Sequence, residues 1–336
     1  MKFLVIRFSS IGDIVLASPV LRCLKKQLPD AEVHFLTKLS FKVVTASNPY
    51  IDKFFYYEDD LDKIIEALQK EDYDYVIDLH NNIRSNKIKL ALKVKSYTID
   101  KLSIQKILLT KLHINFMPGR HITLRSLDTV KSFGVKDDGL GLDYFIPDQD
   151  RVPEKDIPTS HLAGYVALVI GATYFTKKLP VNKLKELCYK FPVPVILLGG
   201  KEDFHIGEQV AKVDRIKIYN ACGKFNLNES ADLIRRSMLV ISNDTGLQYI
   251  ASALKKPTLA IWGGTSPKLD VEPFYGYIYL KNNSDGKVYE NIMVPGLWCQ
   301  PCSKYGLKKC PLGHFNCMEK QDIDLIVEKV KVFLKR

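Results

Sequence analysis

Met1-Lys-Phe-Leu-Val-Ile-Arg-Phe-Ser-Ser-Ile-Gly-Asp13 is the stretch whose reading decides the fold. Leu4–Phe8 is a short apolar run closed by Ser9, Ser10 and Gly12, which reads as a buried strand entering a turn. Ile14–Leu28 then carries apolar residues at helical spacing. Strand, turn and helix in that order form the unit of a parallel sheet covered by helices. Working outward, the unit recurs. Val33–Thr37, Tyr75–Leu79, Tyr165–Ile170, Val193–Leu198, Leu239–Ser242 and Thr258–Trp262 read as buried strands. Asp62–Lys70, Val181–Lys190, Asn228–Arg236 and Leu247–Leu254 carry helical spacing, and Gln321–Arg336 closes the chain as a helix with a core stripe. The rhythm runs from residue 3 to about 100 and restarts near 165, with a Pro-, Asp- and Gly-rich linker at about 136–161. The expectation is an α/β chain of two doubly wound, Rossmann-like domains, 1–160 and 161–336, facing each other across a cleft. Ligands of such sheets bind outside the carboxyl ends of the strands.

The composition agrees with this. Of 336 residues, 46% are apolar, 26% charged and 10% aromatic, which excludes disordered, collagen-like and coiled-coil chains. No stretch reaches the roughly 18 unbroken apolar residues of a membrane span. The start reads as a strand rather than a secretory signal, so a cytoplasmic protein is expected. The net charge is +11, and residues 84–131 alone hold 11 basic against 2 acidic residues. Such a block suits an anionic partner, beside the plainer reading of a solvated lysine-rich face. Nucleic acid is not expected, because the interleaved aromatics of a base-stacking surface are missing.

Chemistry is expected where strands give way to helices. Ser9, Ser10, Gly12 and Asp13 suit a helix start. Asp13 is either a simple cap or a carboxylate placed to take a proton from an acceptor hydroxyl. Neither G-x-G-x-x-G nor G-x-x-x-x-G-K follows this strand, which weakens nicotinamide-dehydrogenase and P-loop readings. In the second half, Lys177 stands beyond a strand end and before Pro180, as a fixed cation for a phosphate would. Asp244, Thr245 and Gly246 lead another strand into an Ala-rich helix, whose free N–H groups form an anion site. Together they suggest a diphosphate site. The four Asp-x-Asp patterns fall in acidic turns and helix starts, and no catalytic metal is expected from them.

The motifs Ser9-Ser-Ile-Gly-Asp13, Asp78-Leu-His-Asn-Asn-Ile-Arg84, Gly171-Ala-x4-Lys177-Lys-Leu-Pro180, Leu198-Gly-Gly-x-Glu202 and Asn243-Asp-Thr-Gly-Leu247 occur in this order. The set resembles the bacterial ADP-heptose:lipopolysaccharide heptosyltransferases, family 9 of the glycosyltransferases, along the whole chain. The resemblance implies the two-domain GT-B fold and inverting, metal-independent transfer of a heptose or similar sugar from an ADP-sugar to a lipopolysaccharide core acceptor. It requires no cofactor. Its alternatives are a GT-B enzyme using another sugar nucleotide and an inactive nucleotide-sugar-binding protein. The resemblance makes Asp13 the general base. It assigns Ala172, Thr176, Lys177, Glu202, Asp244, Thr245, Gly246 and Leu247 to the donor. Ser9, Ser10, Gly12, Asn81 and Arg84, with Arg120 from the basic block, go to the acceptor. That acceptor is an anionic lipid-linked saccharide at the inner membrane face, so peripheral membrane contact is expected. Two departures bear on the transferred sugar more than on the fold. Tyr249 stands where the family usually has histidine, and Leu179 where it has tryptophan.

Cys299, Cys302, Cys310 and Cys317, with His314, crowd into 19 residues. A structural metal site is one reading. The C-x2-C-x7-C-x6-C spacing is not a standard zinc or ferredoxin pattern, and buried thiols in a compact loop are the favoured alternative; disulfides do not suit a reducing cytoplasm.

Overall fold

A computed structural model describes residues 1–284 and 287–335. The chain divides into two compact units. The first comprises Met1–Lys101, Arg120–Phe145 and Phe274–Tyr279, and the second comprises Leu102–Gly119, Ile146–Pro273 and Leu280–Arg336.

The first unit holds a five-stranded sheet of β1 (Lys2–Ile6), β2 (Glu32–Lys38), β3 (Lys53–Tyr57), β4 (Tyr75–Asp78) and β5 (Lys95–Thr98), in the order β3-β2-β1-β4-β5. The second holds six strands: β6 (Val166–Val169), β7 (Val195–Leu198), β8 (Ile218–Asn220), β9 (Leu239–Asn243), β10 (Thr258–Ile261) and β11 (Tyr289–Ile292). Their order is β11-β10-β9-β6-β7-β8. Every strand pair is parallel. Alternate residues of one strand therefore serve two cores. Phe3 and Val5 pack with Val20, Leu21 and Leu24, whereas Leu4 and Ile6 pack with Leu36, Leu68 and Ile88. In the second sheet Val166 and Leu168 join Leu184, Leu187, Ile326 and Val330, while Ala167 and Val169 join Leu233, Ile234 and Ala251. Burying each such side chain contributes on the order of 1.5–3 kcal/mol. Strand order reverses between β1 and β4 in one sheet and between β6 and β9 in the other, which places the ligand-binding loops.

Three differences from the sequence reading have local causes. The strand expected at Leu4–Phe8 is Lys2–Ile6, because Arg7 and Phe8 already belong to the loop. The helix expected over Ile14–Leu28 is two, Ile11–Leu16 and Ser18–Gln27. Pro19 has no N–H for the carbonyl of Val15, and the Ser18 hydroxyl donates to that oxygen instead at 2.7 Å. Strands β3, β5, β8 and β11 were not expected, and all four are sheet edges.

The 136–161 segment has no strand and is pinned at both ends. Within the first unit, buried Arg22 donates to Asp138 through Nε (2.7 Å) and Nη2 (2.8 Å), to the Gly141 carbonyl (2.7 Å), and to Asp143. Within the second, buried Asp232 accepts from Arg151 (3.0 Å) and from the backbone N–H of Val152 (3.1 Å). Among the described residues no helix is long and apolar enough to cross a membrane.

Burial alone would raise the pKa of Asp138, but its bonds to and the charge of Arg22 prevail and hold it below the usual carboxylate range. Arg22→Met takes the guanidinium away from Asp138 and Asp143, and urea denaturation at neutral pH should show a loss of about 3–5 kcal/mol. A carboxylate with a lowered folded pKa contributes stability above its unfolded value and loses it as pH falls through the folded one. The gap between wild type and variant should therefore narrow below about pH 4.

Candidate active site

In the first unit the loop after β1 carries Arg7 to Ser10 and the helix Ile11–Leu16 begins at once, with Ser10 as its N-cap. Asp13, in the first turn, turns back on that cap: its Oδ2 accepts from the Ser10 backbone N–H (3.0 Å) and hydroxyl (2.8 Å). Its Oδ1 pairs with Arg7 Nη2 at 2.6 Å. The Arg7 guanidinium also donates to the carbonyls of Ser9 (3.0 Å) and Leu79, so it joins the β1 loop to the β4 loop. Asp13 keeps 38% of its side chain exposed. Burial raises its pKa, yet the charge of Arg7 and the donors of Ser10 outweigh that and bring it below the ordinary value. An ionised carboxylate thus stands half-open at the switch point.

The β4 loop is built on buried Asp78, whose Oδ1 accepts from the N–H groups of His80 (2.9 Å) and Asn81 (2.7 Å), with Lys89 3.0 Å from its other oxygen. Asn81 donates its side-chain amide to the Ile99 carbonyl at 3.0 Å. Arg84 lies over the rings of Phe8 and Tyr57, at 5.7 and 5.6 Å from their centroids. Arg120 spends its guanidinium on Asp128 (2.9 and 2.7 Å) at an exposed position. Burial, with Arg7 and Lys101 nearby, lowers His80 to about 4, so its imidazole is neutral. Sequence reasoning passed over Arg7 and His80. Their signal was position, one residue beyond β1 and two beyond β4.

In the second unit Lys177 ends the turn Phe175–Lys177 after β6, and its Nζ lies 2.8 Å from Asp244 Oδ2 after β9. The Thr265 hydroxyl donates to the same oxygen at 2.7 Å. Asn243 donates to the Ile170 carbonyl at 3.0 Å, drawing the two strand ends together. Thr245 caps the helix Gly246–Ala253 in extended conformation, and its side chain makes no capping bond. Thr245, Gly246 and Leu247 are half-exposed, so the free N–H groups of this helix start stand beside a fixed cation. Thr176 is buried: its hydroxyl accepts the Leu307 N–H (2.8 Å) and its carbonyl accepts the Gly264 N–H (2.8 Å). Gly306, at φ +98, lets the backbone lie against the Lys177 stem. Ala172 is half-exposed beyond β6. Glu202 is exposed after β7, and its neighbour Asp203, buried, is the carboxylate that reaches Lys178 at 2.7 Å. Leu179 and Tyr249 are both buried, and the Tyr249 hydroxyl donates to the Val271 carbonyl at 2.7 Å.

Cys299, Cys302, Cys310, Cys317 and His314 line one small cavity with Thr176, Gly263 and Gly264. All four thiols are free. Cys299 Sγ is 3.9 Å from His314 Nε2, and Cys302 Sγ is 3.6 Å from the Gly264 carbonyl. Burial pushes Cys317 up to about 12.

The profile of glycosyltransferase family 9 (heptosyltransferase) matches residues 61–277. Lipopolysaccharide heptosyltransferase 1 of Campylobacter coli is 28% identical over 290 residues, which is 79% of this chain and 84% of that one. Among solved structures, the ADP-heptose lipopolysaccharide heptosyltransferase II of E. coli superposes with a TM-score of 0.72 at 16% identity, covering 99% of this chain and 98% of its own. The E. coli heptosyltransferase WaaC with ADP gives 0.68 at 18% identity, covering 99% and 100%. The architecture is that of these proteins, the GT-B fold.

A Cβ on Gly263 would collide with the Thr176 carbonyl next to Lys177. Gly263→Ala should cost about 1–3 kcal/mol in thermal or urea unfolding. Hydrogen exchange should show the amides of residues 175–178 opening faster than in wild type.

Proposed function

The chain belongs to glycosyltransferase family 9, the heptosyltransferases, and from that premise we propose that it transfers a heptose from an ADP-sugar to an anionic, lipid-linked lipopolysaccharide core acceptor, with inversion and without a metal. The observation that carries the proposal is Lys177, held 2.8 Å from Asp244 directly ahead of the Thr245–Gly246 helix start. A cation and unpaired N–H groups at one switch point suit a diphosphate.

The donor breaks at its anomeric carbon through an oxocarbenium-like state while charge grows on the leaving diphosphate. Lys177 and the amides at 245–247 stabilise that charge, being already oriented before it develops. Ala172, Thr176, Glu202, Asp244 and Leu247 complete the donor side. Asp13 takes the proton of the acceptor hydroxyl as its oxygen attacks. A single displacement with one base inverts the anomeric centre. Arg7 keeps Asp13 ionised and Ser10 fixes its orientation, at the expense of some basicity. Ser9, Gly12, Asn81 and Arg84 serve the acceptor, and Arg120 joins them only by exchanging Asp128 for an acceptor anion. The lysines of 84–131 attract the anionic acceptor.

Asp13→Ala should lower turnover by roughly 10²–10⁴ and leave ADP affinity unchanged, whereas Lys177→Ala should weaken ADP-sugar binding. Steady-state assays in EDTA with calorimetric ADP titrations measure both, and a fully active Asp13→Ala removes the base assignment. Without Arg7 the Asp13 pKa rises, and the base works only when ionised. The acid limb of the pH–rate profile of Arg7→Met should accordingly move to higher pH. An unmoved limb would mean that another group is the base.

A further inference from the structure

The stretch Leu102–Gly119 follows β5 in sequence but packs within the second unit. It forms a helical segment, Ser103–Ile107 continuing as Leu108–Leu112, with Leu102 and Leu109 buried beneath it. Thr110 is buried with them, and most of the other apolar side chains of the stretch are exposed. Ile104 is 72% exposed, Leu112 60% and Phe116 64%, with Ile107 and Ile114 nearly half exposed between them. Beside them stands Trp298, 69% exposed, its ring edge-on to His113 at 6.0 Å between centroids. Lys304 donates to the Ser103 carbonyl at 3.4 Å and ties the second stretch to the first. Isolated exposed apolar residues need no explanation, but this many along one segment with a tryptophan is a patch.

The charges within the two stretches that carry it are of one sign. Residues 102–119 and 298–309 together contain five lysines and no Asp or Glu. Such uniformity repels a second copy of the same face and suits a broad negative surface. Apolar side chains, an exposed indole and lysines together are what a protein presents when it lies in a membrane interface.

We propose that this face is an interfacial docking surface for an anionic phospholipid bilayer, with Ile104, Ile107, Leu112, Ile114, Phe116 and Trp298 entering the headgroup region and the lysines pairing with lipid phosphates. The choice of occupant rests on the proposed lipid-linked acceptor, whereas the patch itself does not. Docking here holds the enzyme on the surface that carries its acceptor.

The test uses the full chain with vesicles of phosphatidylglycerol and phosphatidylethanolamine, against vesicles of phosphatidylcholine, without nucleotide or sugar. The protein should cosediment with the anionic vesicles and leave them at high salt. The chain has two tryptophans and Trp262 is fully buried, so a blue shift of emission on binding reports Trp298 and should vanish in Trp298→Phe. The triple variant Ile104→Ser, Ile107→Ser, Phe116→Ser should lose about tenfold or more in partitioning. Its thermal unfolding and its transfer to a detergent-dispersed acceptor should match wild type. The proposal is overturned if wild type ignores anionic vesicles, if the triple variant binds them equally well, or if the shift persists in Trp298→Phe. Self-association that disappears in the triple variant would also overturn it, by making the patch a contact between copies. A wild type that transfers but does not bind anionic vesicles counts against the surface alone; transfer lacking in a wild type that still binds counts against the proposed reaction alone.

Discussion

An open parallel sheet has to send its chain over both faces, and where the strand order reverses, two neighbouring loops leave in opposite directions and open a space between them. Both sheets of this protein obey that constraint, between β1 and β4 and between β6 and β9. The buried strands allow no polar side chain in mid-sheet without a partner, so the charged groups collect at the carboxyl ends. Arg7, Asp13 and His80 stand at one reversal, and Lys177 and Asp244 at the other.

The two reversals use opposite electrostatics. At the first, Arg7 and the Ser10 donors keep a carboxylate ionised while its side chain remains partly open. At the second, a carboxylate is itself the anchor. Asp244 accepts from Thr265 and holds the Lys177 ammonium next to a helix start. In the proposed reaction the first arrangement serves as the base and the second receives the negative charge of the diphosphate leaving group. The interiors around them are held by further buried pairs. Arg22 with Asp138 and Asp143, and Asp232 with Arg151, secure the irregular segment between the strand-rich stretches. The thiol-lined cavity shares Thr176, Gly263 and Gly264 with the support of Lys177. The C-terminal cysteines thereby form part of the packing behind the cation.

Much of the fold was legible because central strands are buried on both faces and must be apolar throughout. β1, β2, β4, β6, β7, β9 and β10 were read from such runs. The edge strands β3, β5, β8 and β11 were not, since an edge strand such as Lys95–Thr98 is largely exposed and has no need of an apolar run. Asp13 and Lys177 were legible from their places just past strand ends. Arg7, His80 and Asp203 were not singled out: the first two had only their position past a strand end to mark them, and nothing local shows that an arginine bridges two loops or that an aspartate outreaches its neighbour Glu202. The basic block, continuous in sequence, is divided between the units, since Leu102–Gly119 packs with the second.

The amino-acid sequence by itself determined the parallel α/β class, the family, and the strand ends where charged residues gather. The class and the strand ends follow from periodicity and short-range turn chemistry, which need no knowledge of distant partners, and the family from the resemblance of its ordered motifs. Tertiary structure alone decided strand order, which carboxylate meets which cation, and which apolar residues stay in water. Those outcomes depend on contacts between residues far apart in the chain, such as Lys177 with Asp244 or His113 with Trp298, and no local pattern encodes them.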